Sequence, residues 1–301
     1  MTSILTRTAS ASDDEASPSG LLERTLSIIE LLARHAHGLQ LYEIAEHLRI
    51  PRSATHRVLT SLAELDYVRQ ERRQGAYLLT AKIASLAFTF LAGSGITDLA
   101  QPILERLARE TGELVRLAIV DGHQLTWVAK AQGSTSGLRY DPDMGQQGRL
   151  SCSSSGHAWL SCLDDKDALA LVRKQGFGTR SSYGPRAPQT ATALLKYLSL
   201  ARKRGFALTV QTFTPWMNAI AVPIRQSALG EITGTVSVAG PHVRFTEKRM
   251  LAVAPLAMVA ARELALATAS SPALGGRAAH ATVNIFAEPA AAGNVGRPTK
   301  S

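Results

Sequence analysis

The chain has 301 residues, 45% of them hydrophobic and 19% charged, with a formal net charge of +9. That length suits about two domains of roughly 100–200 residues each, and the balance is that of a globular protein, which excludes a fibrous or wholly disordered chain. No apolar run approaches the ~20 residues that span a bilayer, the first twenty residues lack the apolar core of a secretory signal, and Cys152 and Cys162 have no metal-site spacing. The expectation is a cytoplasmic chain with reduced thiols, no membrane association, no metal and no cofactor.

The positive charge does not by itself point to nucleic acid. Residues 1–81 carry nine Arg, no Lys and ten Asp or Glu, one net negative charge, so the excess lies further along. Any case for DNA must rest on where the arginines point.

Residues 1–19 are rich in Ser, Thr, Ala and Asp and read as a disordered leader ending in Ser-Pro-Ser-Gly. From Leu21 the pattern turns helical, with Leu22, Leu26, Ile29 and Leu32 (and Ile28) at three- and four-residue steps, and Gly38 reads as the stop. A second short helix fits Leu41–Leu48, with Ile44, Ala45 and Leu48 inward. After Pro51 a third helix opens at Arg52 or Ser53 and runs to about Leu65, because proline is tolerated only at a helix start. Val68–Gln70 and Ala76–Leu79 read as two short strands joined by a tip that holds Arg72, Arg73 and Gly75. Ala81–Leu91 is an apolar linker helix, and Ile96–Arg109 is helical again.

Leu114–Val120 and Gln124–Ala131 then look like strands paired through Asp121-Gly122-His123, a hairpin signal. Gly156–Cys162, Lys166–Lys174 and Thr190–Arg204 read as helices, and Phe206–Gln211, Ala219–Ile224 and Glu231–Ala239 as strands. Glu247–Ala267 closes with a long amphipathic helix, and the Ala/Gly/Pro-rich tail reads as disordered. The expected fold class is α+β. Residues 20–80 form a winged helix-turn-helix, 81–95 a linker helix and 96–268 a mixed α/β domain for effector binding and oligomerisation, between a leader (1–19) and a tail (269–301).

The third helix carries the informative pattern. Val58, Leu59, Leu62 and Leu65 share one side, while Ser53, His56, Arg57, Thr60 and Glu64 fall on the other. A recognition helix needs hydrogen-bonding side chains over its first turns, which enter the major groove. Arg57 suits a bidentate contact to guanine, and Ser53 or His56 a base or phosphate. Arg72 and Arg73 at the wing tip suit the adjacent backbone or minor groove. The candidate DNA-binding set is therefore Arg52, Ser53, Thr55, His56, Arg57, Thr60, Arg72 and Arg73. Any surface helix has a polar face; the order of helix, short helix, proline-marked turn, polar-faced helix and Arg-tipped hairpin is the constraining feature.

The stretches LYEIAEHLRIPRSATHRVLTSLAELDYVRQ and GAYLLT, with GFALTVQTFTPWMNAIAVPI and GTVSVAGPHVRFTEKR further on, resemble the IclR-type transcription regulators over roughly residues 21–266. The resemblance implies a winged helix-turn-helix, a linker helix and an α/β effector domain. It further implies a dimer or tetramer that acts on a palindromic operator in duplex DNA and controls catabolic genes in response to a small organic or aromatic acid. The residues matching the family's effector pocket are Ser154, Ser155, Ala219, Ser237 and Ala239, and Trp216 is a candidate wall. The chain departs from the family pattern at Thr80, where glycine is usual, and at Arg149, where proline is usual. It departs again at His157, where lysine is usual, and at Trp216, where glycine is common. Ala219 and Ala239 stand where Cys and Ser are frequent, which suggests a less polar or aromatic ligand. The serines around Ser153 are also good helix caps beside an anion site at the helix start.

Two other classes compete. An enzyme would need a reactive constellation, but Gly133–Gly137 places Thr135 where a G-x-S-x-G nucleophile would stand, and Cys152 and His157 sit five apart with no evident base geometry. No P-loop, G-x-G-x-x-G, H-E-x-x-H or CxxC pair occurs. A pure assembly module would use the apolar faces Ile83, Leu86, Ala87, Phe90 and Leu251, Val253, Leu256, Val259, which also suit a regulator that dimerises on two-fold DNA.

Overall fold

The computed structural model describes residues 18–71, 75–94, 96–140, 148–226, 230, 232–267 and 269. The expectations for the leader up to residue 17, for Arg72 and Arg73, and for the tail from 270 lie outside the described residues. The chain divides into two compact units, Met1–Gly93 and Ser94–Ser301.

The first unit runs α1 (Leu21–Ala33), α2 (Leu41–His47), α3 (Arg52–Glu64), β1 (Val68–Gln70), β2 (Tyr77–Leu79) and α4 (Ala81–Ser94). One apolar cluster joins Ile28, Leu31 and Leu32 of α1, Ile44 of α2, Val58, Leu59 and Leu62 of α3, and Val68 and Tyr77 of the hairpin. The helical period of α1 is as expected, and its buried residues lie in its C-terminal half. Leu22 and Leu26 are 73% and 51% exposed, because α1, which packs on α3 and β2, buries only that half. Leu65 is likewise exposed rather than inward, since α3 ends at Glu64.

Local chemistry sets the element ends. Glu43 reaches back over the start of α2 to accept the Gln40 N–H at 2.7 Å, satisfying a donor that the helix leaves free. Arg49 takes a left-handed turn (φ 53°) between α2 and α3, and Ile50 behind it is buried. Leu39 and Tyr77 exchange N–H···O bonds of 3.1 and 2.8 Å, which ties the α1–α2 loop to the wing. Gly38, at φ 79°, makes that approach possible. A Cβ there would stand 2.7 Å from Leu78 Cγ and 2.8 Å from the Tyr77 carbonyl oxygen.

The second unit runs α5 (Ile96–Thr111), β3 (Leu114–Asp121), β4 (Gln124–Gln132), α6 (Ser154–Leu160), α7 (Asp165–Gln175), α8 (Ala191–Arg204), β5 (Ala207–Val210), β6 (Met217–Arg225), β7 (Ile232–Pro241) and α9 (Glu247–Ala267). The strands form a sheet of order β4-β3-β7-β6-β5, antiparallel at every pairing. Every residue of β7 is buried, as expected of a central strand covered on both faces. Ala221 meets Ala158 of α6 and Ala201 of α8, and Ala118 and Trp127 join Trp159 and Leu160 in the same layer. The alternate residues Ile220, Val222, Val236 and Val238 therefore point to the opposite face, where α9 packs on β6 and β7 and against α5. Helix α9 is long and apolar enough to cross a membrane, with a mean hydropathy of 1.7 over its best window. Here it is a core helix, with Met250, Val253, Ala254, Ala257, Ala260, Ala261 and Leu264 buried.

Candidate DNA interface and effector site

In α3 the inward side is Ala54, Thr55, Val58, Leu59 and Leu62. That leaves Arg52, Ser53, His56, Arg57 and Thr60 exposed along one stripe. Among the described residues neither Arg52 nor Arg57 is held in an ion pair, so both guanidinium groups are available to an external partner. Thr60 is exposed, but its hydroxyl donates to the His56 carbonyl at 3.0 Å. Thr55 is the exception to the expected set. It is fully buried, and its Oγ1 donates to the Pro51 carbonyl at 3.2 Å. One position along a helix is a turn of about 100°, which takes Thr55 from the stripe into the core. On the wing, the Gln70 side chain donates to the Gly75 carbonyl at 3.0 Å and closes the hairpin below its tip.

Helix α4 is exposed along nearly its whole length, with Leu86, Phe88 and Phe90 at 51%, 68% and 63%. Together with Leu21, Leu22 and Leu26 of α1 it gives the first unit more bare apolar surface than scattered surface residues account for.

In the second unit, α6 begins at a cap in which the Ser153 hydroxyl accepts the Gly156 N–H at 3.0 Å. Ser154 and Ser155 follow, both buried. A Cβ on Gly156 would stand 2.6 Å from the Leu150 backbone, so α6 lies hard against the chain that leads into it. The sheet face below α6 carries the remaining candidates. Ser237 pairs with Arg116 on β3 and with Ala221 on β6, and Ala239 pairs with Ala219. Directly paired residues project to the same face. Ala219 and Ala239 form a small cluster with Met217, against which Tyr140 and Phe213 pack. The structure thus brings Ala219, Ser237 and Ala239 together beneath α6. Trp216 is 59% exposed on the turn before β6 and forms no wall. Phe213, three residues earlier, takes the inward place, with its ring 6.0 Å from Trp127 and 6.2 Å from Tyr183.

The buried thiol and imidazole here are held neutral. Burial pushes the Cys152 thiol up to about 12 and the His157 imidazole down to about 4. His157 donates from Nε2 to the Ser151 carbonyl at 2.8 Å, and its ring lies 5.1 Å from that of Tyr197. A protonated thiol, with the imidazole bonded to a backbone carbonyl, is not an activated nucleophile. Among the described residues no cluster of His, Cys, Asp and Glu is arranged to hold a metal ion.

The residue that sequence reasoning passed over is Arg116. It lies in the middle of β3, 4% exposed, with its guanidinium carbon 3.9 Å over the Trp127 ring. The signal was a charged residue inside the otherwise apolar run LVRLAIV, since arginine is almost never fully buried unless paired.

Comparison with known proteins fits both units. Residues 21–72 match the IclR helix-turn-helix domain, and residues 88–266 match the C-terminal domain of the bacterial transcriptional regulator IclR. The chain belongs to the IclR family. It is 32% identical over 260 residues to the HTH-type transcriptional regulator BhcR of Paracoccus denitrificans, spanning 85% of this chain and 90% of that one. It is 26% identical over 248 residues to the transcriptional repressor IclR of Escherichia coli, covering 82% and 89%. Solved IclR-type structures share the fold. A regulator from Alicyclobacillus acidocaldarius aligns with TM-score 0.71 at 20% identity, covering 82% of this chain and 98% of its own. An IclR homologue from Microbacterium hydrocarbonoxydans, solved with 4-hydroxybenzoate, aligns with TM-score 0.67 at 19% identity, covering 84% and 100%. The IclR-family chain described here is accordingly a transcription regulator, with a DNA-binding unit and a ligand-binding unit.

Proposed function

We propose that this regulator binds a palindromic operator in the cytoplasm as a dimer or tetramer, and controls a catabolic operon in response to a small organic or aromatic acid. The observation that carries the reading is the stripe Arg52, Ser53, His56 and Arg57, exposed on the helix that follows the helix-turn-helix corner. Side chains so placed reach base edges when α3 enters the major groove. The bare apolar surface of α1 and α4 supports self-association, which a two-fold operator requires. The aromatic and alanine-lined face below α6 supports an apolar, ring-bearing effector, and the 4-hydroxybenzoate bound by the Microbacterium homologue lies in the same chemical class. An effector acts by binding the DNA-competent and DNA-incompetent arrangements with different affinity.

Arg57→Ala tests the assignment. If Arg57 reads a guanine, its loss weakens operator binding by about 1–3 kcal/mol, roughly 5- to 150-fold, and relaxes preference at one base pair. Gel shifts against single-base operator variants measure this. An equal loss on every sequence would mean a phosphate contact instead.

A further inference from the structure

Arg116 is a buried cation with unfilled hydrogen-bonding capacity. It is 4% exposed, and among the described residues no carboxylate pairs with it. Its Nε has no hydrogen-bond partner among the described residues. Its neighbours are the Trp127 ring, 3.9 Å below the guanidinium, and Tyr140, whose ring centre is 5.8 Å away and whose phenol hydrogen-bonds the guanidinium. Ring contacts compensate only part of the cost of taking a guanidinium out of water. Among the described residues two more donors on this sheet face are also unsatisfied. Trp127 Nε1 lacks an acceptor, and so does the hydroxyl of Thr235, which pairs with Ala118 two residues along from Arg116. Three buried donors without acceptors, on one face, describe a site short of an anion. Burial lowers the Arg116 guanidinium only to about 10, so the charge persists at neutral pH.

We propose that Arg116 is the counter-ion of the effector: it takes the carboxylate of an aromatic acid whose ring lies among Trp127, Tyr140 and Phe213 over Ala219 and Ala239. This rests on the effector reading above and names the residue that makes the site select an acid over a neutral analogue. The planar guanidinium fork matches a carboxylate in two parallel hydrogen bonds. The aromatic surroundings exclude water, and the two alanines present only small side chains beneath Tyr140 and Phe213.

The test uses the full chain with three acids, benzoate, 4-hydroxybenzoate and phenylacetate, each beside its primary amide, in thermal-shift titrations. At least one acid is expected to raise the melting temperature in a concentration-dependent way, with its amide at least tenfold weaker. Arg116→Met should abolish that preference, and Arg116→Lys should keep it with at least tenfold weaker binding. Ligand-free Arg116→Met is expected to melt at or above the wild-type temperature, because an unpaired buried charge has been removed. A marked fall in its melting temperature would overturn the proposal, since it would mean the Trp127 and Tyr140 contacts already satisfy the guanidinium. Equal binding of acid and amide, unaltered in Arg116→Met, would overturn the counter-ion role while leaving an aromatic effector site in place. No response to any of the six compounds would overturn the aromatic-acid class, and operator binding measured on the same preparations would stand or fall separately.

Discussion

Replacing Arg244 with alanine is expected to destabilise the second unit by roughly 3 kcal/mol. Arg244 lies between β7 and α9 and holds Glu113, at the start of β3, through Nε–Oε1 and Nη2–Oε2 contacts of 2.6 and 2.8 Å. Glu113 is buried, and it sits so close to Gly240 that a Cβ there would fall 2.5 Å from its carboxyl carbon. The carboxylate is left buried when its partner goes. Arg244 also donates to the Leu138 carbonyl at 2.6 Å, and this fork raises its own pKa by stabilising the cation. Removing one partner of such a pair leaves an uncompensated buried charge, which costs about 3–5 kcal/mol in buried cases. The lower figure applies because the guanidinium is 36% exposed and partly screened. Urea unfolding measures the loss. Glu113→Gln combined with Arg244→Ala should recover much of it, whereas a single-variant loss under about 1 kcal/mol would show that the carboxylate finds water.

Acid should weaken the fold through His157. Its folded pKa is about 4, lowered by complete burial from an ordinary 6.5, so the folded state refuses a proton that the unfolded chain accepts. A depressed histidine contributes its stability above about pH 6.5, and the contribution is lost as pH falls from there towards 4. Between pH 7 and 5 the loss amounts to about 2 kcal/mol at 1.36 kcal/mol per pKa unit. His157→Gln keeps a polar side chain near the Ser151 carbonyl and removes the titration. Its unfolding free energy should change less between pH 7 and 5 than that of the wild type, by about that amount. Parallel pH profiles would contradict the assignment.

The recognition stripe was legible because an α-helix writes its buried face into the sequence every three to four residues, and Ser53, His56 and Arg57 fall opposite Val58, Leu59 and Leu62. Thr55 was misplaced for lack of that discrimination: a threonine one position from His56 reads as polar, yet its hydroxyl is satisfied by its own helix and its methyl packs inward. The strand order and the placing of Ala219, Ser237 and Ala239 on one face follow from alternation once the register is known, and register is not written in any single strand. The β5–β6 turn has no period at all, so nothing in the sequence distinguished Trp216, which faces out, from Phe213, which faces in. The helical spacing of Leu22 and Leu26 does not say whether their apolar face meets its own chain or another, and in this chain both are exposed.

A single experiment bears most directly on the reading as a ligand-responsive operator-binding protein. It is a nuclease footprint of the full chain on the DNA that adjoins its own gene, with and without benzoate or 4-hydroxybenzoate. Two protected, two-fold related half-sites spaced by about one helical turn or a multiple of it (~10.5 base pairs per turn) are predicted, with a midpoint that shifts when the acid is added. Protection no stronger than on random duplex DNA, and unchanged by either acid, would contradict it.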